Sequence, residues 1–231
     1  MQPSHADIGA LTIAALALTV SVLSLYVSRV VLPTKMKSAY RKSITVLAAA
    51  VETKDFGTVG HAQHVAELTR AVALRLGIQG KPLEQIEYAA LLRDIGKANV
   101  PSAILNKTEP LTEQEWEILK EHAVLGAQMV AAVPFLAGSA ELIAHHHESW
   151  DGTGYPDGLA REQIPLGSRI LAATSDYDAM VSERPYHPVP LSTDQAVEEI
   201  QAGRGVKYDP VVVDAFMELV GEGALAKSRA A

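Results

Sequence analysis

His61, Asp94, Lys97, His122 and the run His145, His146 and His147 are the side chains whose types and order could do chemistry in this sequence. None of the 231 residues is cysteine, which excludes disulfides and thiolate metal sites. A metal would therefore rest on imidazole and carboxylate, a hard-to-borderline donor set that suits iron, manganese or zinc. Taken singly, each position has an ordinary explanation. His122 could be a hydrogen-bonded core residue, Asp94 a helix-end residue before Gly96, and the histidine run a favourable charge at the negative end of a helix dipole. The segment ESWDGTGYPDGLAREQIP, 148–165, tips the balance. It is dense in Gly, Pro and Asp and too long for a plain connection, and long loops in compact domains tend to be functional.

The elements that must hold these residues read as helices. One is expected from Thr34 to about Lys54, and a second from about Thr58 to Leu76, stopped by Gly77. Pro82 opens the next and turns Ile86, Ala89, Ala90 and Ile95 toward a core. That helix ends in LLRDIGK, where Arg93 stands beside Asp94. A short helix follows from Val100-Pro101 to Leu105. Thr112 and Glu115 have capping-box spacing ahead of an i, i+3, i+4 apolar repeat. Pro134 is expected to start a helix ending near His147, and Pro165 one that runs to about Val181. Ser192 with Gln195 caps another, and Asp209-Pro210 starts the last, stopped by Gly221. No alternating strand pattern is present, so the fold class is all-α. Hydrophobic content of 48% with only 5% aromatic suits closely packed helices. The net charge of −7 argues against DNA as a partner, because phosphate binding wants a basic surface.

The N-terminus differs from the rest. No residue from Ile8 to Val27 is charged, and about 20 helical residues cross a hydrocarbon core of about 30 Å. A secretory leader would carry Lys or Arg ahead of the run, where only His5 and Asp7 stand. Residues 1–33 therefore read as a membrane anchor spanning about 8–31, ended by Pro33. After it come a helical linker over 34–54, a domain over 55–221 and a flexible tail over 222–231. Arg29, Lys35, Lys37, Arg41 and Lys42 follow the span, which places the domain in the cytoplasm behind a single pass through the inner membrane. A homodimer through the 34–54 helix is compatible with the pattern.

GHAQHVAEL (60–68), LLRDIGKANVP (91–101), ILNKTEPLTEQEWEILKEHAVLGAQMV (104–130), HHHESWDGTGYPDGLAREQIPLGSRILA (145–172) and SERPY (182–186) resemble the HD-GYP family of HD-superfamily phosphohydrolases. The motifs occur in family order and spacing over roughly residues 50–220. The resemblance implies an all-α helical bundle that hydrolyses cyclic di-GMP at a site with two or three metals, often iron or manganese. It also implies cyclic di-GMP or a related dinucleotide as ligand. Signalling proteins such as diguanylate cyclases become candidate partners through the GYP loop. Asp94 matches the bridging carboxylate, and His122, His146 and His147 match the other ligands of one metal. Lys97 matches the phosphate-contacting lysine, and Tyr155 lies in the signature loop. Arg184 matches a ligand-contacting arginine, and His61 the first histidine of the second half-site.

Two positions of that second half-site depart from the family. The histidine of the HD pair is Arg93, and the expected aspartate is Ser175. Asp176 is next door but about 100° further around a helix, so it does not simply substitute. The glutamate of three-metal members falls on Gly57. Arginine stays protonated and cannot ligate a cation. One ion rather than two is the resulting expectation. The formal charges suggest a replacement: neutral His, Asp and a divalent ion sum to +1, as do Arg and Ser without the ion. Either the Arg93 guanidinium takes the place of the missing ion, pairing with Asp94 or a bound phosphate, or it points to solvent beside a decayed site. The resemblance thus leaves two functions open. One is a metal-dependent phosphodiesterase with impaired turnover, and the other is a catalytically silent receptor or interaction module.

Overall fold

The computed structural model describes residues 5–54, 60–182 and 189–222. The chain divides into two units, residues 1–43 and residues 44–231. The first holds α1 (His5–Tyr26), a π-helical turn Val27–Val31 and the start of α2 (Leu32–Glu52). Its apolar side chains, among them Leu11, Ile13, Leu16 and Leu18, are exposed on every face. Hydroxyls along it bond back to the preceding turn, as Thr19 does to the Leu16 carbonyl (2.8 Å) and Ser21 to that of Ala17 (2.8 Å). Such back-bonding satisfies the hydroxyls within the helix itself. Among the described residues, one helical run, Leu11–Glu52, is long and apolar enough to cross a membrane. Pro33 does not end this run, contrary to expectation. It sits in the first turn of α2, and the wide π turn before it supplies the slack that a proline ring and its missing N–H require.

The second unit is all-helical: α3 (His61–Arg75), α4 (Gly80–Leu92), α5 (Ser102–Leu105), α6 (Glu113–Ala131), α7 (Ala140–Ala144), α8 (Leu166–Val181), α9 (Thr193–Ala202) and α10 (Pro210–Gly221). Short 3-10 turns cover Ile95–Asn99, Ala137–Ser139 and Arg161–Gln163. The unit begins inside the stretch read as linker, because Ile44 and Ala48 of α2 are buried in its core. Both capping boxes form, Thr112 with Glu115 and Ser192 with Gln195, and Asp209 caps α10 ahead of Pro210. These local signals work because they satisfy orphan amides with side chains only three residues away.

Two apolar clusters share α3, α4 and α8. One gathers Leu68, Val72, Ile86, Ile170, Tyr177 and Ile200 around Phe216, and the other gathers Ile44, Val65, Leu92, Ile95, Val130, Ile143 and Leu171. Alanines at 73, 89, 90, 123 and 173 are fully buried and let the helices approach closely. The helix expected from Pro134 forms only from Ala140. Ser139 Oγ donates to the Gln85 backbone carbonyl (2.9 Å), and Gln85 Nε2 donates to the Phe135 carbonyl (3.1 Å). These bonds to α4 hold residues 135–139 in turns instead of a helix. His145, His146 and His147 consequently lie in a turn just past α7.

Phe216 is wholly buried and meets the Tyr177 ring edge-on at 5.1 Å. Phe216→Ala should cost about 3–5 kcal/mol, the lost transfer and cavity terms together. Thermal melting of the full chain in detergent checks this, and a loss under about 1 kcal/mol would mean that the site relaxes far more than a packed core does.

Candidate functional site

Asp94 and Arg93 stand where α4 stops. The following turn, Ile95–Asn99, lies directly on α6: a Cβ added to Gly96 would sit 2.0 Å from the His122 carbonyl oxygen and 2.7 Å from the Gly126 amide nitrogen. Only glycine permits that approach, and it brings Asp94 to His122. Asp94 Oδ1 is 3.8 Å from His122 Nε2 and 3.1 Å from Lys97 Nζ, while Oδ2 is 3.3 Å from Arg93 Nε. Arg93 is buried at 5% exposure and also donates to the Ala90 carbonyl (2.9 Å). The solvent-pointing alternative for this side chain is therefore excluded. Burial opposes the charge on Asp94, but Lys97, then Arg93 and His122, hold its carboxyl well below the usual range.

His122, His146 and His147 present nitrogens that all lie within 4.8 Å of one another. The backbone fixes two of the tautomers. His122 Nδ1 donates to the Leu119 carbonyl (2.6 Å) and His146 Nδ1 to that of Ile143 (2.6 Å), which leaves both Nε2 lone pairs free. His122 Nε2 is buried without a hydrogen-bond partner. An orphaned acceptor of this kind beside two more imidazoles and a carboxylate fits a metal ion. Burial pushes His122 down. It does the same to His146, to about 3 with help from His122, and to His147, with help from His146 and His122. All three are thus neutral at pH 7, as ligation requires. His145 differs from its neighbours. Its Nδ1 faces the Glu141 carbonyl (2.9 Å) and its Nε2 Asp157 (2.9 Å), so neither nitrogen is available.

A cavity of about 660 Å³ opens over this cluster. Arg93, Asp94, Lys97, His122, His146, His147, Tyr155, Ser175 and Asp176 all line it. Ile104, Leu105, Pro110, Leu111, Trp116 and Leu119 form an apolar wall. The Tyr155 ring stacks on His147 at 4.7 Å. The Tyr155 amide also donates to the His147 carbonyl (3.2 Å), so the loop is tied directly to the histidine cluster. Asp176 is occupied elsewhere, accepting from Tyr208 Oη (2.8 Å) and pairing with Lys207 (2.7 Å).

His61 is not brought to this cluster and does not line the cavity. Its Nδ1 meets Asp178 Oδ2 at 3.0 Å, and His64 Nδ1 takes the other oxygen of the same carboxylate. Burial raises the Asp178 carboxyl, but the hydrogen bonds from His61 and His64 pull it far below the carboxylate range. Sequence reasoning passed over His64 and Asp178. Their signals were the one-turn spacing of His61 and His64 and the second acid of the DYDA stretch. Trp116 and the buried Glu148, whose Oε1 accepts from the Asp157 amide (2.8 Å), were also missed. Arg184 and Gly57 lie outside the described residues.

The depressed His146 carries a sign that can be measured. Unfolded, its imidazole takes a proton near 6.5; folded, only near about 3. Between those values the unfolded chain binds more protons, so folding weakens as pH falls below 6.5, by at most about 1.4 kcal/mol per unit. In chelator-treated protein His146→Gln should flatten the fall in melting temperature between pH 6.5 and 4.5. An unchanged slope would contradict a buried neutral imidazole.

A model of the HD domain family matches residues 45–212. A cyclic di-GMP phosphodiesterase of Thermotoga maritima is 39% identical over 182 residues, covering 78% of this chain and 49% of that protein. A cyclic di-GMP phosphodiesterase response regulator of Xanthomonas campestris pv. campestris is 37% identical over 179 residues, covering 77% and 47%. The chain thus spans about half the length of the curated relatives it matches. A crystal structure of a cyclic GMP-AMP specific phosphodiesterase from V. cholerae superposes with a TM-score of 0.64 at 20% identity, over 79% of this chain and 49% of that one, a likeness of fold. With its histidine cluster, its DGTGYPDGL loop and a family match over most of its length, the chain belongs to the HD domain family, among the HD-GYP proteins.

Proposed function

We propose that this chain is a membrane-anchored cyclic-dinucleotide module whose phosphodiester hydrolysis is impaired because one of two metal half-sites is replaced by Arg93. The observation that carries the reading is the pairing of buried Arg93 with Asp94, 3.3 Å apart, beside the His122–His146–His147 set, with Asp94 Oδ1 3.8 Å from His122 Nε2. That set would hold one divalent ion, iron, manganese or similar, which when bound supplies Lewis acidity toward a phosphodiester and lowers the pKa of its water. The protein's own groups have separate tasks. Lys97 and Arg93 present positive charge to the phosphodiester. The apolar wall with Trp116 suits the face of a purine, and the Tyr155 ring keeps His147 oriented. The names of the relatives support cyclic di-GMP, or a mixed cyclic dinucleotide, as the ligand. The long apolar helix supports the anchor, and the basic residues after it support a cytoplasmic domain.

Charge and space both explain the impairment. A guanidinium on Asp94 repels a second cation, and Ser175 offers no anionic ligand to offset it. His61, held on Asp178, adds nothing at the cavity. The same observation favours a second reading, a receptor that binds the nucleotide without cleaving it, since the binding groups are present and the second half-site is not.

In full-length protein in detergent with Mn²⁺, cyclic di-GMP should bind and turn over slowly or not at all. Arg93→His combined with Ser175→Asp should raise turnover by about 100-fold, the scale of one electrostatic contribution to a transition state. Brisk turnover by the native chain, unchanged by the double substitution, would sink the impairment. Binding with no turnover in either protein would select the receptor.

A further inference from the structure

The turn just past α2 reaches the segment that follows Asp94. Lys54 Nζ donates to three backbone carbonyls of the turn after Asp94: those of Lys97 (3.3 Å), Ala98 (2.8 Å) and Val100 (2.7 Å). An ammonium has three protons, and all three are used here. Carbonyls at the end of a helical turn carry partial negative charge, so a cation there is favoured, and the Lys97 carbonyl accepts it in addition to the Val100 amide (3.1 Å). The base of Lys54 is itself held, because Asn106 Nδ2 donates to its carbonyl (3.2 Å). Two residues earlier, Glu52 accepts from the Gly60 amide (2.8 Å) and the Ala62 amide, which fixes the same turn of α2 to the start of α3.

The turn Ile95–Asn99 is also pressed on α6 at Gly96. It therefore has two anchors, a backbone-to-backbone contact at Gly96 and the ammonium of Lys54. Lys97 stands between them. Its carbonyl is one of the three that Lys54 engages, and its own ammonium reaches Asp94 Oδ1 at 3.1 Å.

We infer that Lys54 is a positioning residue: by gathering the carbonyls of Lys97, Ala98 and Val100 it sets where the Lys97 side chain meets a bound phosphodiester, and so ties the end of α2 to the ligand site. The inference rests on the nucleotide reading for its consequence but not for its geometry. The amide-exchange arm below tests the tie without any ligand.

The test uses full-length protein in detergent, cyclic di-GMP and Mn²⁺ as probes, and Lys54→Met, Lys54→Gln and Lys54→Arg. Lys54→Met should speed amide exchange across residues 95–100 by about tenfold and leave α6 unchanged, since only the local opening is eased. It should weaken cyclic di-GMP binding by about tenfold without altering bound Mn²⁺. On a Lys97→Ala background the same substitution should change binding less than about twofold, because the effect runs through that side chain. Lys54→Arg should restore both readouts, and Lys54→Gln, which keeps donors without charge, should fall between. Should Lys54→Met not fold, the Gln and Arg variants carry the comparison. Unchanged exchange at 95–100 in the Met or Gln variant overturns the inference, as does equal loss of binding with and without Lys97. If the native chain fails to bind cyclic di-GMP, the nucleotide reading falls, while the exchange result still decides Lys54.

Discussion

A guanidinium that cannot shed its proton, buried beside a carboxylate, is the constraint around which this site is organised. Arg93 at 5% exposure must find an anion, and the adjacent Asp94 is that anion, with the Ala90 carbonyl taking a further donor. Asp94 is at the same time the carboxylate of the histidine cluster and the partner of Lys97. One side chain thus serves two cations and borders the imidazoles, and its carboxyl stays ionised despite burial chiefly because of Lys97 and Arg93. Removing Arg93 alone would leave a cavity and unbalance the charge, so the pair acts as a unit.

The surrounding helices keep the rest of the cluster neutral and in place. Backbone carbonyls at Leu119 and Ile143 fix two imidazole tautomers, and the Tyr155 ring covers the third. Gly96 lets the turn after Asp94 touch α6, so that α4 and α6 bring together residues 28 positions apart in sequence, Asp94 and His122. Burial of the imidazoles lowers their proton affinity, which opposes stability at acid pH but keeps lone pairs available at neutral pH. The site therefore trades acid stability for donor availability.

Local chemistry was legible in the sequence, and spatial partnership was not. Thr112 with Glu115, Ser192 with Gln195 and Asp209-Pro210 announce helix starts because each cap is completed within three residues. The apolar positions at Ile86, Ala89, Ala90 and Ile95 turned inward as their spacing required. Pro33 misled because a π turn absorbs it, and Pro134 because Gln85, on another helix, holds the segment after it. The grouping of His122, His146 and His147 was expected from motif order. The turn of His61 toward Asp178 was not, because it depends on α3 packing against α8. Lys54 gave no signal at all, since a lysine at a helix end is ordinary until three carbonyls from a distant turn surround it.

Ions located directly in a crystal of the full-length protein grown with Mn²⁺ would test the central claim, that Arg93 stands where a second ion would be. Anomalous scattering at the manganese edge should show one peak per chain, among Asp94, His122, His146 and His147, with the guanidinium still on Asp94. A second peak beside Asp94, with Arg93 turned away and His61 released from Asp178 as its ligand, would contradict the account.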